Sequence, residues 1–562
     1  MNRLLVTAAL PYSNGRLHVG HIAGCFLPAD IFVRFERMRG KEVRFVCGSD
    51  DHGVAIKITA EKEGKTPAEV AKFYSDHQEQ DFAGLGIHFD VYGSTSRTKY
   101  HFGRSQQFFM SLFEKGYFEK KKSEQFYDES KGAFLPDRYV KGTCGYCDAT
   151  DQYGDQCENC GKVLDVSTLK DAVSVLSGSK ATIRETTHWF IDLSKSQSVV
   201  EEWLKSSEVR DHTRKYVSGL LSTGLVQRSM TRDLDWGIPV PLDDPEAAGK
   251  VLYVWFDAPI GYISNTEELC EERDGDSEKY VDWWKSKDCS IYHFIGEDNT
   301  IFHCVIWIAM LAAEGSYQLP TGVFVNQYLN IQFPDKEAEK ISKSRGNAVW
   351  IGDYLEKGGS PDSLRYYLTA IAPERARSIF KPDDLVQRNN TDLANVIGNF
   401  VNRILSFTKK HVGDTSPQIN EQKLEDTDRE FRALRKSTHG TVTELLEGAQ
   451  TKGALEAIME YARACNKYVD DMAPWATRKT DMARTELTLA VAIEAIAFLG
   501  VMLNPFLPFA SEKLLRMLSI SVDALSWDDA LKGHELGITL GETEILFSKM
   551  ELSDWIPERE GE

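Results

Sequence analysis

The segment at residues 4–21, LLVTAALPYSNGRLHVGH, constrains the fold more than any other part of the chain. It opens with a short apolar run of the kind that is buried in a parallel sheet, and the turn-forming residues PYSNG end that run. His18 and His21 follow where the next helix should begin, and their spacing places both imidazoles on one face. Gly20 lets a ligand approach the backbone, and the helix amino terminus offers free N–H groups with a partial positive charge. We therefore predict a strand–loop–helix unit that holds a phosphate group, with two ordinary surface histidines as the alternative.

A second charged segment, KISKS, lies at residues 340–344 and is followed by arginine, glycine and asparagine. Its two lysines, Lys340 and Lys343, together with two hydroxyls and the nearby glycine, can form a flexible clamp for an anion. A solvated basic loop is the alternative for this segment taken alone. The two segments occur in this order, more than three hundred residues apart.

The chain has 562 residues and a formal net charge of -19 at pH 7. This length predicts several domains, each with its own core. The acidic balance argues against a protein that coats itself with nucleic acid, but it allows selective, salt-sensitive binding of RNA by local basic surfaces. We expect no membrane-spanning segment, and the residues PYSNG interrupt the opening apolar run without a signal-peptide cleavage site. A cytoplasmic protein with reduced thiols is therefore predicted.

Four of the ten cysteines form two CxxC pairs, Cys144 with Cys147 and Cys157 with Cys160. Each CxxC hairpin can present two thiolates to one tetrahedral metal ion, so the doubled pattern predicts a zinc knuckle. Redox pairs or disulfides are the alternatives. Because cysteine would fill all four coordination positions, we expect the zinc to be structural and not catalytic.

Polar and aromatic clusters follow three further strand candidates. Asp50 comes after the apolar run at 43–47, an aromatic turn follows the run at 251–255, and Gly296 and Asp298 end a third run. The carboxyl ends of parallel strands meet at one edge of a sheet, where ligands bind. Asp50 could hold a cationic group and Asp298 a ribose hydroxyl, whereas caps, turns and core aromatics are the ordinary interpretation of the single residues.

The residues from about 386 onward show a helical pattern with few strand signals. Within it, Asn399 and Arg403 lie one turn apart on one helix face, and Trp475 follows a proline. A tryptophan beside arginine and asparagine can stack on an unpaired base and hydrogen-bond its edge. A surface arginine and a partly buried tryptophan of a helical bundle are the alternative.

These segments, in this order, resemble the methionyl-tRNA synthetases, a family of class I aminoacyl-tRNA synthetases. The histidine and lysine segments are similar to the HIGH and KMSKS signatures of that class, and the resemblance extends through the four cysteines and YVWFDAPIGY to NKYVDDMAPW. Two positions depart from the family pattern. Ile341 replaces methionine in the lysine signature, which should be harmless because neither side chain binds phosphate. Asn299 stands where some relatives carry an apolar residue, which alters the rim of the amino-acid pocket and not the reaction.

The resemblance implies ATP-dependent attachment of methionine to its tRNA through a methionyl-adenylate, with Mg²⁺ accompanying ATP. It also implies a role for each matching residue. These roles are catalysis and phosphate binding by His18, His21, Lys340 and Lys343; further ATP contacts by Arg232, Gly296 and Asp298; methionine binding by Ala9, Leu10, Tyr12, Asp50, Trp255, Ala258, Pro259, Tyr262, Asn299 and His303; and anticodon recognition by Asn399, Arg403 and Trp475.

The implied fold is α/β: a Rossmann-like parallel-sheet catalytic domain, split by the zinc-knuckle insertion and followed by an α-helical bundle that binds the anticodon. The expected ranges are 1–115 and 231–325 for the two catalytic halves, 116–230 for the insertion, 326–385 for the stem-contact region with the lysine signature, and 386–562 for the bundle. The expected partners are tRNA(Met), ATP and L-methionine. Since no appended dimerisation domain is recognisable, we expect a monomer with one structural Zn²⁺ per chain.

Three rival classes explain parts of the pattern. A small-molecule adenylyltransferase can share the histidine segment, but it accounts for neither the four cysteines nor the long helical region. A synthetase for isoleucine, valine or leucine normally carries a large editing insertion, for which this chain has little room. A non-catalytic RNA-binding paralogue should have lost the histidines or the lysines, and all four are present.

Overall fold

The computed structural model describes residues 3–154, 157, 159–160, 162, 164–342, 346–522, 525–532 and 537–552. The described strands are β1 (Arg3–Ala8), β2 (Glu42–Ser49), β3 (Val91–Ser94), β4 (Phe118–Asp128), β5 (Ala133–Phe134), β6 (Val140–Cys144), β7 (Gln152–Tyr153), β8 (Leu169–Ser174), β9 (Thr182–Ile191), β10 (Glu208–Val209), β11 (Arg228–Ser229), β12 (Thr231–Arg232), β13 (Val251–Leu252), β14 (Cys289–Gly296), β15 (Gly322–Asn326), β16 (Leu329–Ile331), β17 (Glu339–Lys340) and β18 (Ser378–Phe380).

The described α-helices are α1 (Val19–His21), α2 (Leu27–Met38), α3 (Val54–Glu63), α4 (Pro67–Gly84), α5 (His101–Glu114), α6 (Gln197–Ser206), α7 (Asp211–Ser222), α8 (Val254–Asp257), α9 (Ile260–Asp274), α10 (Val281–Trp284), α11 (Trp307–Glu314), α12 (Ile351–Glu356), α13 (Pro361–Ala370), α14 (Pro382–Arg388), α15 (Asn399–His411), α16 (Asp426–Glu447), α17 (Thr451–Met472), α18 (Pro474–Thr477), α19 (Met482–Leu503) and α20 (Pro508–Met517). Three π-helical segments are Ile22–Phe26, Phe302–Ile306 and Asn389–Gly398.

A six-stranded parallel sheet in the order β10–β15–β14–β1–β2–β3 carries the candidate site. β1 lies between β14 and β2, and all of its residues except Arg3 are buried, as expected for a strand covered on both faces. The carboxyl ends of these three strands therefore meet at one edge. That edge brings Ala9, Asp50 and Gly296 close together and confirms the predicted parallel-sheet α/β architecture.

Residues 116–230 contribute to more than one layer. The long antiparallel pair β4–β9 leads away from the parallel sheet, and β6, β7 and β8 form a separate three-stranded sheet that carries the first cysteines. β10 then returns as an edge strand of the parallel sheet, where it pairs with β15. The segment thus pairs with the parallel sheet through β10, and its last strand, β11, returns to β9 of the antiparallel sheet.

The prediction of a strand at residues 251–255 is mostly wrong. Only Val251 and Leu252 form a strand, which pairs antiparallel with β12, and the chain then turns into the short helix α8. A short buried apolar run has the same composition in a strand and in a helix, so periodicity could not separate the two. As a result Trp255 lies on a helix, and not at the end of a sheet strand.

The C-terminal part is helical, as predicted. Helix α19 packs against α15, α16 and α17 and is the central helix of this bundle. By length and composition alone α19 could cross a membrane, because its best 18-residue window has a mean hydropathy of 2.0. However, 94% of that window is buried inside the fold, so the apolar composition serves the bundle core.

Candidate active site

The two histidines of the first helix turn form one stacked unit. His18 caps the turn: its Nδ1 accepts the Gly20 N–H at 3.1 Å, and Nδ1 of His21 accepts the His18 N–H at 3.1 Å. Their ring centroids lie 3.7 Å apart and the ring planes are 17° from parallel. Because each Nδ1 accepts a backbone proton, each neutral ring carries its own proton on Nε2. The structure thus places both imidazoles on one face, as their spacing predicted.

The expectation that free backbone N–H groups of this turn hold a phosphate is wrong. The Val19 N–H donates to the Val349 carbonyl at 3.1 Å, the Gly20 N–H is taken by the His18 ring, and the His21 N–H donates to the His18 carbonyl at 2.9 Å. The distant segment around Val349 therefore closes the turn. The groups that this turn can offer to an anion are the ring N–H groups.

The segment that follows the lysines pairs with the histidine turn. His18 and Trp350 form an antiparallel bridge, and the Ile351 N–H donates to the Leu17 carbonyl at 3.0 Å. Before this bridge, Ile341 packs on Gly20: a Cβ atom at position 20 would lie 3.2 Å from Ile341 Cδ1 and 2.9 Å from the His18 ring. Gly20 is therefore required for the close packing of the two signature segments, a role that the sequence did not reveal.

Lys340 lies on β17 and its side chain is exposed toward the site. The Lys340 Nζ atom is 5.3 Å from the centroid of the Tyr328 ring. The Lys340 ammonium group is also close enough to Asp298 for electrostatic interaction. Arg377 lies over the same Tyr328 ring at 5.3 Å. The predicted Lys343 lies outside the described residues.

The buried side chain of Asn347 closes the lysine segment. Its Oδ1 accepts the Ser342 N–H at 2.8 Å and its Nδ2 donates to the Lys340 carbonyl at 3.1 Å. Only 1% of Asn347 is exposed. The asparagine thereby fixes the backbone on both sides of Ile341.

Asp50 is a buried carboxylate at the end of β2. Its backbone is bridged to Tyr12, through hydrogen bonds to Pro11 and Ser13 of 2.9 and 3.0 Å. Among the described residues, no donor reaches its Oδ1. Burial raises the pKa of Asp50 well above its ordinary value, and the negative charges of Asp257 and Asp51 raise it further. A buried acid with a free oxygen is suited to an incoming cationic group.

Aromatic side chains line one wall beside Asp50. Trp255 stacks on Phe302 with centroids 3.9 Å apart, and Tyr12 meets the Trp255 ring edge-on at 6.2 Å. This geometry brings together two predicted residues that lie far apart in the sequence, Tyr12 after β1 and Trp255 on α8. Phe302 was missed by the sequence analysis, although its position directly before His303 was a signal for it.

A fixed hydrogen-bond chain forms the back of the pocket. His303 Nδ1 lies 3.1 Å from the Asn299 carbonyl, which can only accept, so Nδ1 carries the ring proton. Nε2 then accepts the Tyr262 hydroxyl at 2.8 Å. Burial lowers the pKa of His303 to about 4, so the ring is neutral at physiological pH. Asn299 thus contributes its backbone carbonyl to the site.

The remaining predicted pocket and nucleotide residues lie around this centre. Ala9, Ala258 and Pro259 are buried, and Leu10 packs so closely on Gly261 that a Cβ there would lie 2.9 Å from Leu10 Cδ1. The Asp298 carboxylate folds over Gly296, with 2.8 Å between its Oδ1 and a Cβ built on the glycine.

Arg232 lies on β12. Its guanidinium stacks 3.7 Å over Tyr253 and donates to the carbonyls of Ser229 and Thr231. The contact of this arginine with a nucleotide stays a prediction.

The four predicted metal ligands converge. The ligand atoms of Cys144, Cys147, Cys157 and Cys160 all lie within 4.8 Å of one another, with 3.9 Å between the first and last sulfurs and 3.6 Å between the middle two. Tetrahedral zinc with Zn–S bonds of about 2.3 Å separates its sulfurs by about 3.8 Å. The geometry therefore suits one metal ion with four thiolate ligands, and it does not suit two disulfides, whose S–S bonds are about 2.05 Å.

The three residues predicted to read a nucleic-acid base lie on one surface of the helical bundle. The Arg403 guanidinium is 5.2 Å from the Trp475 ring centroid and donates to Asp470 at 3.1 Å. Asn399 is exposed one turn before Arg403 on α15, and 40% of Trp475 is exposed. The sequence placed Asn399 and Arg403 on one helix and Trp475 in a distant segment, and the fold brings Trp475 against Arg403.

Comparison with known proteins identifies the class. The model for class I tRNA synthetases (M) matches residues 4–405, and the model for the anticodon binding domain of methionyl tRNA ligase matches residues 420–557. Together with the stacked histidines and the adjoining lysine strand on a parallel sheet, these matches define a class I aminoacyl-tRNA synthetase.

Within this class, the chain belongs to the methionine–tRNA ligase family. It is 44% identical to the methionine–tRNA ligase of Porphyromonas gingivalis over 561 residues, which covers 98% of this chain and 79% of that relative. It is 42% identical to that of Flavobacterium psychrophilum, with the same coverage. The solved Mycobacterium tuberculosis methionyl-tRNA synthetase in complex with methionyl-adenylate superposes with a TM-score of 0.79 at 26% identity, covering 97% of this chain and 100% of that structure. The resemblance and the fold class expected from the sequence are both confirmed.

Proposed function

We propose that the stacked histidines and Lys340 hold ATP while the carboxylate of methionine attacks the α-phosphorus and pyrophosphate leaves. The nucleophile is already ionised at neutral pH, so the site needs no general base. What the protein must supply is an in-line position for both substrates and stabilisation of charge on the phosphoryl group. The methionyl group then passes from the adenylate to the terminal ribose of tRNA.

The single observation that carries this proposal is the pair of hydrogen bonds that backbone N–H groups donate to the Nδ1 atoms of His18 and His21. Because each Nδ1 accepts a hydrogen bond, each ring carries its own proton on Nε2, from which it can donate to a phosphate oxygen. Stacking of the two rings fixes the distance between these donors before ATP binds. Preorganised donors of this kind stabilise the developing charge without reorganisation during the reaction.

The remaining nucleotide contacts are assigned by position. Lys340 and Lys343 act on the pyrophosphate side, where Arg232 assists, and Asp298 with the backbone at Gly296 binds the ribose. Mg²⁺ bound together with ATP would supply further neutralisation of phosphate charge beside Lys340 and Lys343. The exposed Lys340 beside Asp298 supports this arrangement, because it places a cation and a hydroxyl acceptor on the same rim.

The amino acid fits the pocket between Asp50 and the aromatic wall. The free, buried oxygen of Asp50 pairs with the ammonium group, and the unbranched thioether lies against Tyr12, Trp255, Tyr262 and His303. Ala9, Leu10, Ala258, Pro259 and Asn299 complete the walls. The bound methionyl-adenylate in the M. tuberculosis structure supports both substrates.

We propose that the bundle surface of Asn399, Arg403 and Trp475 reads the anticodon of tRNA(Met). The exposed ring of Trp475, held under the Arg403 guanidinium, can stack on an unpaired base. Residues 1–115 and 231–325 then perform the chemistry, 326–385 carry the lysine signature and contact the tRNA stem, and 386–562 bind the anticodon. Residues 116–230 hold one structural zinc ion through the four cysteines.

The chain is further proposed to act in the cytoplasm as a monomer. Sedimentation at micromolar concentration tests the second statement, and a dimer under those conditions contradicts it.

Amino-acid-dependent ATP–pyrophosphate exchange, with all twenty amino acids offered separately, tests the central proposal. We expect exchange with methionine and loss of that exchange in K340A, whose fold is checked by thermal unfolding. Exchange with a different amino acid would support a class I aminoacyl-tRNA synthetase and contradict the specificity for methionine. Folded, zinc-loaded protein without any exchange would indicate a non-catalytic RNA-binding paralogue.

A further inference from the structure

A cluster of buried ionisable groups next to the pocket has no role in the chemistry above. It consists of His52, His101 and Asp257, whose ligand atoms lie within 4.8 Å of one another and all of which are buried. The Asp257 Oδ2 atom accepts the His52 Nδ1–H at 2.6 Å and lies 3.7 Å from His101 Nε2. Three residues from distant parts of the sequence thus meet in one polar network.

The two ends of the His52–Asp257 bond belong to two chain segments that each carry proposed pocket residues. His52 stands two residues after Asp50, on the turn whose backbone is bridged to Tyr12. Asp257 ends α8, the helix that carries Trp255, and the pocket residues 258–259 follow it directly. The bond therefore joins the wall with the free carboxylate to the wall with the aromatic ring.

Neighbouring groups hold this network in place. The His52 ring meets the Trp236 ring edge-on at 5.7 Å, and Trp236 Nε1 donates to the Asp51 carbonyl at 2.7 Å. On the other side, His101 Nδ1 lies 2.9 Å from the Ser264 hydroxyl of α9. Because Asp257 is only 1% exposed, removal of either partner leaves a buried group without its hydrogen bond.

We propose that Asp257 and His52 are positioning residues which fix the distance between the Asp50 carboxylate and the aromatic wall, and thereby set the length of amino-acid side chain that the enzyme accepts. This inference rests on the proposed function, since it assumes that the pocket binds an amino acid. The ligand class is an unbranched α-amino acid whose ammonium group is anchored at Asp50. A fixed pocket length matters here because an apolar pocket distinguishes two side chains that differ by one methylene by only about 10- to 200-fold.

The charges that face Asp50 give a second, independent readout. Burial raises the pKa of Asp50 most, and the negative charges of Asp257 and Asp51 raise it further. The other titratable groups beside Asp50 are His52 and Tyr262. The D257N variant keeps the shape of the side chain and removes one negative charge. The pKa of Asp50 should then fall, which moves the acid limb of kcat/KM for methionine to lower pH.

The test compares kcat/KM in pyrophosphate exchange for norvaline, methionine and ethionine, which present side chains of increasing length. We expect H52L to lose about tenfold of the preference for methionine over norvaline. H52N places an amide donor near the position of Nδ1 and should restore the preference. D362N is the matched control, because Asp362 is a buried acid that accepts the Ala510 N–H far from the pocket.

Several outcomes would overturn the proposal. Unchanged side-chain preference in H52L removes the positioning role, and an unshifted acid limb in D257N removes the premise that Asp257 faces Asp50, while methionine-dependent exchange stays intact in both cases. If the wild-type enzyme shows no such exchange, the proposed function fails first. If H52L does not fold, the same preference is measured in D257A, which breaks the His52–Asp257 bond from its other end. Metal analysis tests the alternative that His52, His101 and Asp257 bind a metal ion. A second metal ion in the wild-type chain that is lost in D257N would make the cluster a metal site.

Discussion

At the scale of single residues, the proposed pairing of Asp50 with the ammonium group of methionine predicts that methionine binding depends on pH. The free enzyme holds this carboxyl at a raised pKa, whereas the ammonium group of methionine pairs only with its ionised form. Lowering the pH through that raised pKa therefore protonates Asp50 and weakens binding. We expect KM for methionine to rise as the pH falls, while KM for ATP changes little.

The D50N variant separates this effect from general acid sensitivity. Loss of one partner of a buried charge pair costs about 2–5 kcal/mol, so KM for methionine should rise by about thirtyfold or more. The acid limb in KM should also disappear. A variant that keeps the limb would show that another group titrates. Steady-state exchange kinetics between pH 5 and 8 make the measurement.

Tyr328 should affect the nucleotide and not the amino acid. Its ring lies under the cations of Lys340 and Arg377, and a cation–π contact at an exposed site is worth about 0.5–1 kcal/mol. We expect Y328L to raise KM for ATP about two- to fivefold and Y328F to retain the wild-type value. Equal effects of both substitutions would assign the loss to the hydroxyl group instead.

The site residues differ in how far the sequence could reveal them. His18 and His21 were recognisable because their relation is local, three residues within one turn. The bridge from His18 to Trp350 and the bond from His52 to Asp257 depend on pairings across the sheet, for which no local pattern exists. The prediction of free N–H groups in the first turn was wrong in part for the same reason, because the Val19 N–H donates to the distant Val349 carbonyl.

At the scale of elements, the three π-helical segments coincide with the proposed functional residues. Ile22–Phe26 directly follows His21, Phe302–Ile306 contains His303, and Asn389–Gly398 ends directly before Asn399. A π turn widens the helix and leaves a carbonyl to be satisfied from outside. In the first segment the buried Asn326 does so, with its Nδ2 donating to the Ala23 carbonyl at 3.0 Å. Hydrophobic periodicity predicted helices, but it could not locate these widened turns within them.

The lysine segment should depend on Asn347. Replacing it with alanine leaves the Lys340 carbonyl and the Ser342 N–H without their shared partner, which costs about 1–3 kcal/mol. Because Lys340 then loses its fixed position, we expect about tenfold slower adenylate formation with an unchanged KM for methionine. N420A is the control, since Asn420 caps an exposed turn of the bundle. A raised KM for methionine in N347A would contradict this assignment.

The cysteine cluster gives a test of element stability. We expect one zinc ion per purified chain by metal analysis and close to none in C144A, with a lower Tm because structural zinc contributes directly to folding. Pyrophosphate exchange should persist, because the cluster packs in a separate core from that of the parallel sheet. C270S, which changes a buried cysteine outside the cluster, should keep its zinc. Full zinc content in C144A would exclude the four-thiolate site.

At the scale of the whole molecule, one buried arginine joins the catalytic sheet to the helical bundle. Arg365 is fully buried on α13 and donates to Asp30 at 2.6 Å, to the Leu85 carbonyl at 3.2 Å, and to the carbonyls of Pro505 and Phe506 at 2.9 and 2.7 Å. These acceptors lie in the first half of the sheet domain and in the turn between α19 and α20. The arginine thereby links the sheet domain to the helical bundle.

Removal of this link should uncouple the two parts. R365M leaves Asp30 with a single remaining arginine, Arg34, and breaking a buried pair in this way costs about 3–5 kcal/mol. We expect calorimetry to show one unfolding transition for the wild type and two for R365M. R388M is the control, because Arg388 makes a half-exposed pair with Asp384 worth only about 0.3–0.5 kcal/mol. The functional consequence follows from the same geometry. Exchange does not need the helical bundle and should persist in R365M, whereas aminoacylation of tRNA should fall because anticodon contacts no longer hold the acceptor end at the adenylate. An equal loss of both activities would show that Arg365 supports the reaction site alone.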